Sequence, residues 1–116
     1  MEHDRRIDHD RAVSMVIEHA ELSIIPGREA EFEAAFEQGH KAIAQSPGYL
    51  WARLIRQIEN PSSYLLLVGW ESLEAHMETF RGSDLFRQWR AAVGPFFAAP
   101  PNVTHYNGEL TPATES

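Results

Sequence analysis

Tyr64–Trp89, YLLLVGWESLEAHMETFRGSDLFRQW, decides the fold of this chain. It opens on Tyr64 to Gly69, a run without polar alternation, which reads as a strand buried on both faces. Trp70 and Glu71 end the strand. Ser72 then stands where a side-chain oxygen can accept from the free N–H groups of a starting helix. The apolar spacing predicts a short amphipathic helix over Leu73–Arg81, with Leu73, Met77 and Phe80 on its inner face and His76 pointing the same way. Gly82-Ser83-Asp84 restarts a second helix, Asp84–Val93, with Ser83 in the capping position and Phe86 and Trp89 inside. Gly94-Pro95 closes it.

On the amino-terminal side, Ser14–Ile25 reads as strand one, ended by the turn signal Pro26-Gly27. A helix over about Arg28–Gln45 follows. Glu29, Glu31 and Glu33 in its first turns suit the helix dipole, and Phe32, Phe36, Gly39 and Ile43 form its inward stripe. Ser46-Pro47-Gly48 stops it. Strand two, Tyr49–Glu59, sets Tyr49, Trp51, Arg53 and Ile55 on one side and Leu50, Ala52 and Leu54 on the other. Asn60–Ser63 turns into strand three, and Val103–Asn107 is the last strand. The order β-α-β-β-α-β is that of an α+β, ferredoxin-like antiparallel sheet with helices on one face. In that arrangement strands one and four are expected to flank strands three and two respectively. Strands two and three carry large apolar residues on both faces, so the uncovered face calls for an apolar partner, most simply a second copy of the chain.

The 116 residues make one small domain, read as 14–109 between a polar, disordered tail at 1–13 and a short tail at 110–116. His3, Asp4, Asp8, His9 and Asp10 sit in the first tail, where a metal would have to bear the whole cost of ordering its ligands. No metal site is expected there. The absence of cysteine excludes disulfides, thiolate metal sites and a thiolate nucleophile. A net charge of −7 with a single lysine, Lys41, leaves no basic stripe for a phosphate backbone or an anionic membrane. The amino-terminal residues lack the apolar core of a signal peptide, and no apolar run has the length of a membrane span. A cytoplasmic location is expected.

Three histidines are candidates for proton chemistry. His76 lies on the inner side of its helix, where a neutral imidazole can take a proton from an acidic carbon or a phenol. On strand one, alternation sets Ile17, His19 and Glu21 on one side and Val16, Ala20 and Leu22 on the other, making the His19 side the more polar. His105 shares its side of strand four with Val103 and Asn107. Either of these two could line the space between sheet and helices or sit at a dimer seam. Their separation on different elements, without an i, i+4 pair, gives no metal-site spacing. Trp70, Phe86 and Trp89 are the aromatic residues placed to shape an apolar pocket, which suits a flat aromatic substrate kept from water. No G-x-G-x-x-G, P-loop or G-x-S-x-G is present, so no nucleotide cofactor is indicated.

The elements Trp70-Glu-Ser72-Leu-Glu-Ala75-His76 and Ser83-Asp-Leu-Phe86 resemble the W-x-S-x-x-A-H and S-x-x-F of the antibiotic biosynthesis monooxygenase family, small dimeric α+β barrels. The resemblance spans about Met15 to Glu109. It implies a homodimer packed through its sheets and, in one branch, a cofactor-independent monooxygenase that oxidises a phenol, quinol or anthrone with O₂. Under that implication His76, with His19 or His105, accepts the substrate proton. A second branch degrades haem. Its strand-one Asn corresponds here to Ala20, its Trp to Thr79 and its ligand His to Arg90, so the resemblance implies no haem and no other cofactor. The alternative is a non-catalytic dimer of the same family that binds a small apolar molecule or serves in stress, with its histidines hydrogen-bonded at the dimer seam.

Overall fold

The computed structural model describes residues 15–108 and 110–111, so most of both expected tails lies outside the described residues, including the His and Asp residues at 3–10. β1 (Val16–Ser23) leads through the Pro26-Gly27 turn into α1 (Glu29–Ala44). β2 (Tyr49–Arg56) and β3 (Ser63–Trp70) form a hairpin. A π-helix (Ala75–Phe80), α2 (Asp84–Val93) and a 3₁₀ turn (Gly94–Phe96) precede β4 (Asn102–Asn107). The sheet is antiparallel throughout, in the order β2-β3-β1-β4, with the helices on one face. This is the ferredoxin-like α+β architecture.

One neighbour relation differs from expectation. β4 pairs with β1 and forms a sheet edge; it does not lie beside β2. β1 is therefore central, and its register sets Glu18 opposite Val68 on β3 and His105 on β4.

The inward residues of β3 (Tyr64, Leu66, Val68 and Trp70) are buried with Ala20 and Leu22 of β1. Phe32, Ala42 and Ile43 of α1 and Trp89 and Val93 of α2 close over them. The two helices meet at Gly39, where an added Cβ would lie 2.8 Å from the Trp89 ring. On the opposite face of β3, Leu65 and Leu67 are only half-buried. They continue into Ile17, Trp51, Ile55 and Tyr106, and the last two are 52% and 57% exposed.

The strand-two pattern breaks at its start. A register shift between Tyr49 and Trp51 puts Tyr49 against the helix-side core, opposite Trp70, while Trp51 covers Gly69 on the open face. The helix after β3 also differs from the expected amphipathic α-helix. It winds as a π-helix, closed by the Arg81 N–H to the His76 carbonyl at 3.1 Å, and the wider turn changes which residues face in. Ala75, His76 and Phe80 are buried, whereas Leu73 and Met77, expected inside, are 49% and 40% exposed.

Candidate functional site

Trp70, Ser72 and Ala75 each have a mechanical part in placing His76. The Trp70 indole N–H donates to Glu18 Oε1 at 3.0 Å. Ser72 Oγ accepts from the Ala75 N–H at 3.1 Å, the capping expected from sequence. Ala75 must be small because it packs on Gly48. That glycine has φ +87°, and a Cβ there would come within 2.6 Å of Ala75 Cβ. With the helix start pinned, His76 turns into the core and stacks on Trp70, ring centroids 5.1 Å apart. Ser83 stands at the N-cap of α2 as expected, but its hydroxyl donates to the Phe80 carbonyl at 2.7 Å and accepts from no N–H of that helix. It ties the π-helix to α2 and brings Phe80 and Phe86 into edge-to-face contact at 5.5 Å.

His76 Nδ1 lies 2.8 Å from His105 Nε2, and His76 Nε2 lies 3.3 Å from Glu18 Oε1. Three titratable groups from β1, the π-helix and β4 thus form one chain. Burial drives their protonation. It raises Glu18 from 4.5 to about 7, against the lowering effects of the Trp70 hydrogen bond and the Arg81 charge. Burial also lowers His76 from 6.5 to about 4, reinforced by His105 and Arg81, and His105 is lowered for the same leading reason. Near neutral pH both imidazoles are neutral; the proton of the Glu18–His76 pair rests on the carboxyl below about 7, and above that the carboxyl is free to receive one.

Glu18 and His76 stand on the wall of a cavity of about 1000 Å³ between the sheet and the second half of the chain. Phe80, Phe86, Trp89 and Phe97 supply its aromatic surface, and the 94–101 segment forms its outer wall. A cavity of this size accommodates a fused-ring aromatic molecule.

The structure brings His76 and His105 together and leaves His19 apart. His19 lies on the open face of the sheet, its ring edge-on to Tyr106 at 5.6 Å. Phe86 and Trp89 line the cavity, and Trp70 sits behind His76 as its stacking and hydrogen-bonding support. Glu18 is the group that sequence reasoning passed over. Its one signal is phase: it falls on the inward side of β1 with Ala20 and Leu22, where a carboxylate has no solvent. Of the three positions aligned with the haem branch, Ala20 is on the cavity wall, Arg90 is at its rim and Thr79 is exposed. Among the described residues no group of three or more His, Cys, Asp or Glu has the arrangement to hold a metal ion. No helix among them is long and apolar enough to cross a membrane.

Residues 15–92 match the family described as antibiotic biosynthesis monooxygenase. The chain is 44% identical over 92 residues to the uncharacterized protein YczJ of Bacillus subtilis, covering 79% of this chain and 97% of that protein. A provisionally named antibiotic biosynthesis monooxygenase from Bordetella bronchiseptica is 41% identical, with a TM-score of 0.80 over 84% of this chain and 99% of that one. SnoaB of Streptomyces nogalater, a cofactor-independent oxygenase, is 18% identical. Its TM-score of 0.72 covers 87% of this chain and 99% of its own, a likeness of fold.

Proposed function

The chain belongs to the antibiotic biosynthesis monooxygenase family, and from that premise we propose that it is a cofactor-independent monooxygenase of phenolic, quinol or anthrone-type aromatics. The observation that carries this reading is the Glu18–His76 pair on the wall of an aromatic cavity, backed by His105. Oxidation of such a substrate by O₂ is limited by making it an anion electron-rich enough to give up an electron. The Glu18 carboxylate on the cavity wall takes that proton, its Oε1 held by the Trp70 indole and by His76 Nε2, while His105 holds the far nitrogen of His76. The substrate anion passes one electron to O₂, and the resulting radical and superoxide combine into a peroxide. Return of the proton, loss of the second C–H proton and cleavage of the O–O bond leave a carbonyl and one water. An anthrone CH₂ and one O₂ thus give a C=O and H₂O, all four electrons coming from the substrate carbon. Trp70 keeps the pair in register, and Phe86 and Trp89 hold the rings away from water.

A homodimer joined through the open sheet face, working in the cytoplasm, completes the proposal. The apolar run Ile17, Leu65, Leu67 and Trp51 supports the dimer. The non-catalytic alternative calls for histidines at the seam; His19 lies on that open face, whereas His76 is buried at the cavity and is bonded to the half-buried His105. Oxygen uptake with dithranol and a panel of quinols, without added metal or flavin, tests the reaction. Turnover above the uncatalysed rate is expected, and no uptake on any member of the panel sinks it.

A further inference from the structure

In a chain of net charge −7, three of the ten basic residues, Arg81, Arg87 and Arg90, stand on the wall of the one cavity that holds Glu18 and His76. Arg87 is ion-paired with Asp84. Among the described residues Arg81 and Arg90 have no carboxylate at ion-pair distance. Both guanidiniums instead lie against the same Phe86 ring, 5.3 and 5.9 Å from its centroid. Two like charges on one ring repel, and the aromatic face offsets only part of that.

Their positions follow from the local winding. Arg81 sits five residues after His76, and the π-turn hydrogen bond between the two sets it one wide turn further along the same helix. Arg90 follows Trp89, the aromatic wall, on α2. Arg81 and Arg90 are both exposed to solvent on the cavity wall. Among the described residues Glu18 is the single acid on the cavity wall, and it is buried.

We propose that Arg81 and Arg90, together on the Phe86 ring at the cavity rim, bind a carboxylate carried by the aromatic substrate, remote from the ring that reacts at Glu18 and His76. A carboxylate accepts from two guanidiniums at once, one on each oxygen, and cancels the charge that the protein leaves uncompensated. The substrate class is thereby narrowed from neutral polycyclic phenols to their acids. The proposal rests on the reading of this cavity as an aromatic-substrate site.

Quenching of tryptophan fluorescence by anthraquinone-2-carboxylate and by its uncharged methyl ester separates charge from shape. The acid should bind the wild-type protein about tenfold more tightly than the ester, a modest factor because both arginines are solvent-exposed. The preference should shrink with added salt. Arg81→Gln with Arg90→Gln together should abolish it while ester binding persists, and Arg87→Gln should leave it intact. Equal affinities in the wild type, or a preference that survives the double substitution, overturn the proposal. Should the double variant lose ester binding too, the single variants decide. Each should keep the ester and lose part of the preference, and an undiminished preference in both overturns the proposal. Oxygen uptake with neutral dithranol is measured separately. Uptake without acid preference removes the carboxylate site and leaves the reaction, and acid preference without uptake on any substrate does the reverse.

Discussion

His76 is held by contacts on every side, and its substitution separates chemistry from architecture. His76→Ala should lower turnover on a confirmed substrate by about 10² to 10⁴, the usual share of a general base, because it removes the group that positions the Glu18 carboxylate, with the fold retained. Unchanged turnover would remove it from the mechanism. The rate should rise with pH towards a plateau above about 7, where Glu18 becomes able to receive the proton; in Glu18→Gln that limb should vanish from the pH–rate profile. Stability carries a second signature. The pKa of Glu18 is raised in the fold, so its contribution is complete below about 4.5 and is lost as pH rises to about 7. That of His76 is lowered, so its contribution is complete above 6.5 and is lost as pH falls to about 4. The two slopes oppose one another between 4.5 and 6.5, and the native protein should show little net dependence from this pair. Denaturant midpoints across that window should fall towards acid in Glu18→Gln and towards neutrality in His76→Gln. Parallel profiles for the two variants would contradict the assignment.

The contact of α1 with α2 is the tightest test at the scale of elements. An alanine at Gly39 would press its Cβ to 2.8 Å from Trp89 and 3.1 Å from Val93. Overpacking of about 1–3 kcal/mol should outweigh the helix-propensity gain of up to about 1 kcal/mol, lowering the urea midpoint. A raised midpoint would mean that Trp89 gives way. Glycine at 39 was legible as part of an inward stripe, as were α1, the hairpin and the β-α-β-β-α-β order, because periodicity reports one face of one element. What periodicity misses is pairing between elements and irregular winding. His105 was visible as a candidate for either the pocket or the dimer seam, but its place opposite Glu18 depends on β4 pairing with β1, which no local pattern encodes. Leu73 and Met77 sit at α-helical spacing, yet the π-turn rotates them outward and leaves His76 and Phe80 inside. A single extra residue at the start of β2 likewise sends Tyr49 and Trp51 to opposite faces. Glu18 escaped notice because charge in a strand ordinarily marks solvent; here it marks a buried acceptor.

At the scale of the whole molecule, the open sheet face should be buried against a second copy. An interface near ~2,000 Å² in total is expected for an obligate dimer, and a stable folded monomer by sedimentation at micromolar concentration would refute it. Gly69 offers a directed test, since a Cβ there would meet the Trp51 ring at 2.5 Å. Gly69→Ala should tilt Trp51 out of the sheet and weaken dimerisation while the Glu18–His76–His105 chain, on the opposite face, stays intact. The division of the cavity has a longer consequence. Its proton-handling groups are anchored in β1, the π-helix and β4, whereas the outer wall belongs to α2 and the 94–101 segment. Substitutions in that wall can alter which molecule fits without touching the groups that move the proton. A lineage built on this plan is free to change diet while keeping one metabolism, and the same seam offers an engineer a place to exchange the wall and leave the chemistry alone.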